Sequence, residues 1–430
     1  MRPGAHIDGT IEVPGDKSIS HRAVMFGSIA DGETVIEGCL MGEDVKATIG
    51  AFRSMGVPIE SRDDGRVVIA GRGVSALCEP DGPLDMGNSG TSIRLMSGLL
   101  AGAGLPVVMS GDASLLRRPM RRVTEPLAEM GADIVTADGG TPPLRIRSKQ
   151  ALHGIRYEMP VASAQVKSAI LLAGINALGD TCVVESLPSR DHTERMLRSF
   201  GVDVRDGDSG ICVRGGQTLS GTRVEVPGDI SSAAFFLVAA AMSPGAELRV
   251  NNVGTNPTRT GVIEILRLMG ADITLTNVRD AGAEPIADIL VRGSRLRGIE
   301  IPVNLVPSAI DEFPVLFVAA ACADGTTRLT QASELRHKES DRIDVMAAGL
   351  SALGANVTTR EDGLEIIGGN TLGGGAIDSR GDHRIAMAFA VAATAASAPV
   401  ELTGCAAIGT SFPGFAELAM RVGLDVAARE

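Results

Sequence analysis

The chain has 430 residues, 44% hydrophobic but only 3% aromatic, with no Trp and a net charge of −12. That length fits two domains of about 200 residues each, while an acidic chain short of stacking aromatics excludes a general affinity for nucleic acid or anionic membranes. Any anionic ligand must therefore be held by local clusters of basic residues.

In chain order, Thr10–Pro14 alternates as a short strand and Gly15-Asp16 makes a turn. Ser18 is the expected N-cap of a helix running to about Ala30, which Gly32 ends. Thr34–Glu37 reads as a strand, and Asp44 starts a second helix that closes at Met55-Gly56, where a left-handed cap is expected. Val57–Ser61 and Arg66–Ala70 follow as strands around Asp63-Asp64-Gly65. The resulting order is strand, helix, strand, helix, strand, strand.

The opening phrase, a strand running into a polar turn and an Ala-rich helix, recurs about every 70 residues, the mark of a repeat architecture. Its copies are TIEVPGDKSISHR (Thr10–Arg22), PLDMGNSGTSIR (Pro83–Arg94), IRYEMPVASAQVKS (Ile155–Ser168), TRVEVPGDISSAA (Thr222–Ala234), IEIPVNLVPSAIDE (Ile299–Glu312) and AIDSRGDHRIAM (Ala376–Met387). Each copy later ends a second helix on a glycine, at Gly56, Gly131, Gly201, Gly270, Gly354 and Gly423. The expected fold is α/β, with helices packed inside or against sheets. Six copies divide into two sets of three: residues 15–226 form one domain, and 227–430 hold the other set. The sixth copy stops one strand short, so the first residues of the chain are expected to fill in for that strand or to pack beside it.

Cys39, Cys78, Cys182, Cys212, Cys322 and Cys405 are scattered without a C-x-x-C pair. They are expected to be reduced, mostly buried thiols of a cytoplasmic protein rather than a disulfide framework or zinc site. The histidines lack H-x-x-x-H spacing, so no metal is expected. MRPGAHIDGT carries no apolar leader, and the longest apolar run, Ile385–Ala398, is too short to span a membrane.

The repeated turns place backbone amides and a positive helix end at the same spot in each copy, a geometry that binds anions. Their side chains differ. Copy one adds Lys17, His21 and Arg22; copy two adds Arg94; copy three adds Gln165 and Lys167; copy five adds Asp311 and Glu312; copy six adds Asp382, His383 and Arg384. Copy four has no basic residue and reads as structural, as do His21 and His192. Outside the turns, Arg117, Arg118, Arg121 and Arg122 cluster at an expected helix start, where cations oppose the dipole unless an anion is bound. Arg336–Arg342 is a second such cluster.

GDKSISHR, GNSGTSIR, RRPMRR, ASAQVKSA, DEFPVL, KESDR and GDHRIAM occur in the order seen in the 5-enolpyruvylshikimate-3-phosphate synthase family, which the chain resembles over essentially its whole length. The resemblance implies two similar globular domains, residues 15–226 and 1–14 plus 227–430, each an inside-out α/β barrel of three βαβαββ repeats, closing around an interdomain cleft. It implies transfer of the enolpyruvyl group of phosphoenolpyruvate to the 5-hydroxyl of shikimate 3-phosphate, without cofactor or metal. The expected partners are those two small-molecule substrates, with no nucleic acid and no membrane, and the expected state is a monomer in the cytoplasm.

By the same resemblance Lys17, Ser18, Arg22, Ser163, Ala164, Gln165, Arg190, Asp311 and Lys338 bind shikimate 3-phosphate. Lys17, Gly90, Arg118, Gln165, Arg342 and Arg384 bind phosphoenolpyruvate. Asp311 is the implied proton acceptor and Glu339 a candidate donor, with Lys17 and His383 also on the proton path. A carboxylate suits the loss of a proton from the attacking hydroxyl, and a carboxylic acid suits protonation of the methylene carbon. The lysine that some members carry before the C-terminal Phe-Pro is absent from Gly409–Pro413, and Gly90 is retained where herbicide-tolerant members often have alanine. Glyphosate is therefore expected to compete with phosphoenolpyruvate. The alternatives are an enolpyruvyl transferase acting on UDP-N-acetylglucosamine, disfavoured by Ser114-Leu115-Leu116 and Lys17-Ser18, or a non-catalytic anion-binding homologue.

Overall fold

Segments that are apolar on nearly every face become buried helices, and here such helices form the centre of two units. The computed structural model describes residues 7–147, 151–207 and 210–427. One unit is Lys17–Val226; the other joins the segment that ends at Asp16 to everything from Pro227 onward.

The Lys17–Val226 unit contains helices α1 (Lys17–Ile29), α2 (Glu43–Ser54), α3 (Gly90–Gly102), α4 (Arg121–Glu129), α5 (Ala164–Gly174) and α6 (His192–Ser199). Helices α1, α3 and α5 are buried along most of their length, whereas α2, α4 and α6 bury one stripe. Close contact at the centre depends on Gly98, because a Cβ there would sit 1.9 Å from the Ala169 carbonyl oxygen. Three sheets surround these helices. They are built on Ala30–Glu37 with its partners, on Leu84–Ile146 and on Arg156–Arg214.

The second unit contains α7 (Ile230–Met242), α8 (Gly261–Leu268), α9 (Phe313–Cys322), α10 (Arg342–Ala352), α11 (His383–Ala392) and α12 (Phe415–Arg421). Its central helices α7, α9 and α11 are rich in Ala and Phe and almost wholly buried. Its sheets have four, three and two strands. The sheets of both units are separate and open, so the expected barrel is not what forms: none closes among the described residues. Each leaves an edge and packs one face on the central helices.

Two strands pair differently from the order expected. Asp8–Glu12 runs parallel to Glu247–Gly254 in the second unit, and Arg223–Glu225 runs parallel to Ala30–Glu37 in the first. The N-terminal strand therefore extends the sheet around α7 and does not replace a strand of the sixth copy. Alternation marks both segments as strands but carries no information about a partner distant in the chain. The two chain crossings are tied together, since the Asp16 amide donates to the Pro227 carbonyl at 2.8 Å and the Asp229 amide to that of Pro14 at 2.9 Å.

Helix α1 begins at Lys17, so Ser18 lies inside it instead of capping it. The cysteine expectation also needs correction. Cys182 and Cys212 face each other in register on antiparallel strands, 4.1 Å apart at Cα, and are disulfide-bonded. Cys39, Cys78, Cys322 and Cys405 are free thiols. No helix among the described residues is long and apolar enough to cross a membrane, and no group of three or more His, Cys, Asp or Glu could hold a metal.

Candidate active site

In the first unit the starts of α1, α3 and α5 are drawn together by side-chain hydrogen bonds. Gln165, in the first turn of α5, accepts from Arg94 Nη1 at 2.7 Å and donates to Thr91 Oγ1 at 3.1 Å. On α1, Arg22 is buried and donates from Nε to Thr193 Oγ1 (2.7 Å) and from Nη2 to Ser168 Oγ (2.8 Å). His21 has no exposed surface and joins Thr48 Oγ1 at 2.9 Å, consistent with the structural role expected of it. Lys17 Nζ pairs with Asp44 at 2.9 Å across to α2.

Ser89 caps α3 by accepting from the Ser92 amide at 3.1 Å. Ser163 precedes α5 without capping it through its side chain. Arg118 is buried and donates to the Asn88 side-chain carbonyl. A Cβ on Gly90 would lie 2.8 Å from Arg118 Nη1 and 2.9 Å from Arg94 Nη1. Glycine is thus what lets two guanidinium groups crowd over the start of α3.

The arginine cluster does not act as one. Arg117 and Arg118 precede α4, which begins at Arg121; Arg117 and Arg121 are exposed, Arg122 is half-buried, and only Arg118 turns inward. Pro119 interrupts the run. Arg190 is half-buried in the segment before α6.

In the second unit the same helix starts carry carboxylates. Asp311 Oδ1 lies 3.3 Å from Lys338 Nζ and 3.3 Å from Arg342 Nη1. Arg384 Nη1 donates to the Asp311 carbonyl at 3.0 Å, and its Nη2 lies 3.9 Å from the Asp311 carboxylate. Arg342, the first residue of α10, is 1% exposed; it donates from Nε to Asp382 at 2.9 Å and from Nη2 to Glu339. Burial opposes its charge, but Asp382, Glu339 and Asp311 outweigh that and hold it protonated more firmly than an ordinary arginine. Asp382 also caps α11. Of the Arg336–Arg342 run, Lys338 and Arg342 converge on Asp311 and Glu339 pairs with Arg342, whereas Arg336 turns to Asp341 (2.7 Å) and Asp344 (3.0 Å).

Several participants carry no local signal in the sequence. Asp44, Ser168 and Thr193 are ordinary helix residues until the fold brings them to Lys17 and Arg22. Arg259 is another. It lies 3.2 Å from Asp16, 3.3 Å from Asp229 and 3.8 Å from Glu312, and donates to Ser231 Oγ at 2.7 Å. The fourth turn, which has no basic residue of its own, thus receives one from the loop before α8. Burial raises Asp229 above the usual carboxylate range, helped by Asp16 and opposed by Arg259.

This geometry offers buried cations at three helix starts in one unit and a carboxylate ringed by Lys338, Arg342 and Arg384 in the other, an arrangement suited to polyanionic substrates and proton transfer. Residues 1–418 match the family model for EPSP synthase (3-phosphoshikimate 1-carboxyvinyltransferase). A relative from Halorhodospira halophila named 3-phosphoshikimate 1-carboxyvinyltransferase is 60% identical over 426 residues, covering 99% of this chain and 96% of its own. One from Methylococcus capsulatus with the same name is 59% identical over 425 residues, covering 99% and 97%. The solved EPSP synthase structure from Acinetobacter baumannii superposes with a TM-score of 0.88 at 54% identity, covering 99% of this chain and 97% of its own.

Proposed function

The chain belongs to the EPSP synthase family, and on that premise we propose how its own residues carry the transfer of enolpyruvate from phosphoenolpyruvate to the 5-hydroxyl of shikimate 3-phosphate. The single observation that carries the assignment of residues is the convergence of Lys338, Arg342 and Arg384 on Asp311.

Shikimate 3-phosphate is held by Lys17, Ser18, Arg22, Ser163, Ala164, Gln165 and Arg190, with Asp311 and Lys338 reaching its hydroxyls. Phosphoenolpyruvate lies against Lys17, Gly90, Arg118, Gln165, Arg342 and Arg384. Two polyanions repel each other, and guanidinium and ammonium groups around them offset that repulsion. Asp311 accepts the proton of the 5-hydroxyl as the oxygen attacks C2 of phosphoenolpyruvate. Glu339, which accepts from Arg342, takes up a proton from solvent once that guanidinium engages the phosphoenolpyruvate carboxylate, and as a neutral acid delivers it to the methylene carbon. The tetrahedral adduct then returns a methyl proton to Glu339 as it expels phosphate, which re-forms the carbon–carbon double bond, and Asp311 gives its proton to the departing phosphate. Lys17, set beside Asp44, is the group placed to charge-balance the leaving phosphate.

The reading takes residues 15–226 and 1–14 plus 227–430 as two halves of three βαβαββ repeats, both of which the substrates engage. It takes the protein as a cytoplasmic monomer. The test is phosphate release from phosphoenolpyruvate with shikimate 3-phosphate or UDP-N-acetylglucosamine as acceptor. Release with shikimate 3-phosphate alone is expected; release with the sugar nucleotide alone, or with neither, would overturn the assignment.

A further inference from the structure

Behind the α5 start lies a buried charge cluster that the mechanism above does not use. Lys167, 1% exposed, sits on α5 two residues after Gln165. Its ammonium contacts Glu185 at 2.7 Å, Glu194 at 2.7 Å and the Ser189 carbonyl at 3.4 Å. It donates to Glu185 and to the Ser189 carbonyl, and Glu194 pairs with its charge. Burial works against the Lys167 charge, but the two carboxylates outweigh it and raise its pKa above the ordinary value. Lys167 is therefore a committed cation rather than a ligand or a proton carrier.

What it joins is informative. Glu194 lies on α6, and Glu185 lies in the segment after the Asp180–Val184 strand. Glu185 also accepts from the Ser189 hydroxyl, so the residue before Arg190 is held twice, by Lys167 through its carbonyl and by Glu185 through its side chain. The neighbours of Lys167 and Glu194 along the chain, Ser168 and Thr193, are 2.6 Å apart and both accept from Arg22. One pair of helices thus carries two adjacent knots, one gripping Arg22 and the other gripping the Ser189 backbone.

We infer that Lys167 and Glu185 are positioning residues that fix the Ser189-Arg190 segment against the start of α5, so that Arg190, Ser163 and Gln165 present to one phosphate. This deepens the reading of Arg190 as a shikimate 3-phosphate ligand and rests on it. Loss of a partner that orients a ligand typically costs 10–100-fold. A cluster that only stabilised the fold would lower the melting temperature and leave the two Michaelis constants in their original ratio.

The experiment is a double-mutant cycle on Glu185→Gln and Arg190→Ala, reading KM for each substrate separately, with the melting temperature as a folding control. Glu185→Gln should raise KM for shikimate 3-phosphate by about tenfold and move KM for phosphoenolpyruvate and kcat by no more than about twofold. In the Arg190→Ala background the same change should have no further effect on KM for shikimate 3-phosphate. Should Glu185→Gln fail to fold, Ser189→Ala removes the side-chain half of the tie at little structural cost and should give a smaller rise in the same constant. Multiplying effects in the cycle, equal shifts in both Michaelis constants, or an unchanged KM for shikimate 3-phosphate in a folded variant would each overturn the inference. A parent protein that does not turn over shikimate 3-phosphate would sink the functional reading first, and this inference with it.

Discussion

The two units show their site arginines different hydrogen-bond partners. In the first, Arg22 donates to Thr193 and Ser168, Arg118 to Asn88 and Arg94 to Gln165. In the second, Arg342 and Arg384 are already set against Asp311, Glu339, Asp382 and Glu312. A buried guanidinium with neutral partners is oriented but not neutralised, so an arriving phosphate gains most of the charge interaction. A guanidinium among carboxylates gives less to a ligand and more to the carboxylates, whose geometry it fixes. On the proposed residue roles, anion binding falls chiefly to the first unit and proton chemistry to the second.

The largest expected effect breaks the second unit's share. Asp311→Asn keeps the shape and removes the base, and kcat should fall by about 10²–10⁴-fold in steady-state assays. Next, Arg22→Ala in the first unit removes a charge-assisted contact of roughly 1.5–3 kcal/mol. KM for shikimate 3-phosphate should rise by about 10–100-fold, with a smaller change in kcat. An equal loss of kcat in the two variants would erase the division of labour.

Gly90→Ala tests the crowding over α3. The added methyl must push aside the tips of Arg94 and Arg118, flexible ends that can give way. KM for phosphoenolpyruvate should rise by about tenfold or less while KM for shikimate 3-phosphate holds. Inhibition by glyphosate, which should compete with phosphoenolpyruvate in the parent, should weaken in parallel.

The smallest effect concerns Lys167, whose charge two carboxylates share. Burial raises the Glu194 carboxyl above its ordinary 4.5, against the pull of Lys167. The folded state then holds that proton more tightly than the unfolded chain, so the group favours folding at low pH and loses that contribution as pH rises past the ordinary value. Glu194→Gln lacks this loss. Its melting temperature relative to the parent should climb as pH rises above the ordinary carboxylate value, and a flat difference would contradict the assignment.

Local features were readable in the residues because local physics decides them. The six helix-ending glycines all adopt positive φ, from 87° at Gly56 to 99° at Gly423, a conformation that disfavours a side chain. The apolar helices and their polar starts follow from composition and capping in the same way. Pairing across the chain was not readable. Nothing in Asp8–Glu12 names Glu247–Gly254 as its partner, and nothing in Cys182 names Cys212 until two strands place them in register. The partners of the site charges were hidden for the same reason: Thr193 is 171 residues from Arg22. Charge runs misled where the backbone turned, since Arg117 and Arg118 are neighbours with opposite exposures.

Phosphorus NMR of Asp311→Asn mixed with shikimate 3-phosphate and phosphoenolpyruvate reads binding and chemistry in one spectrum. The account predicts a shikimate 3-phosphate resonance shifted as in the parent complex and no growth of inorganic phosphate on the parent's timescale. Phosphate appearing at the parent rate, or a shikimate 3-phosphate resonance left at its free position, would contradict it.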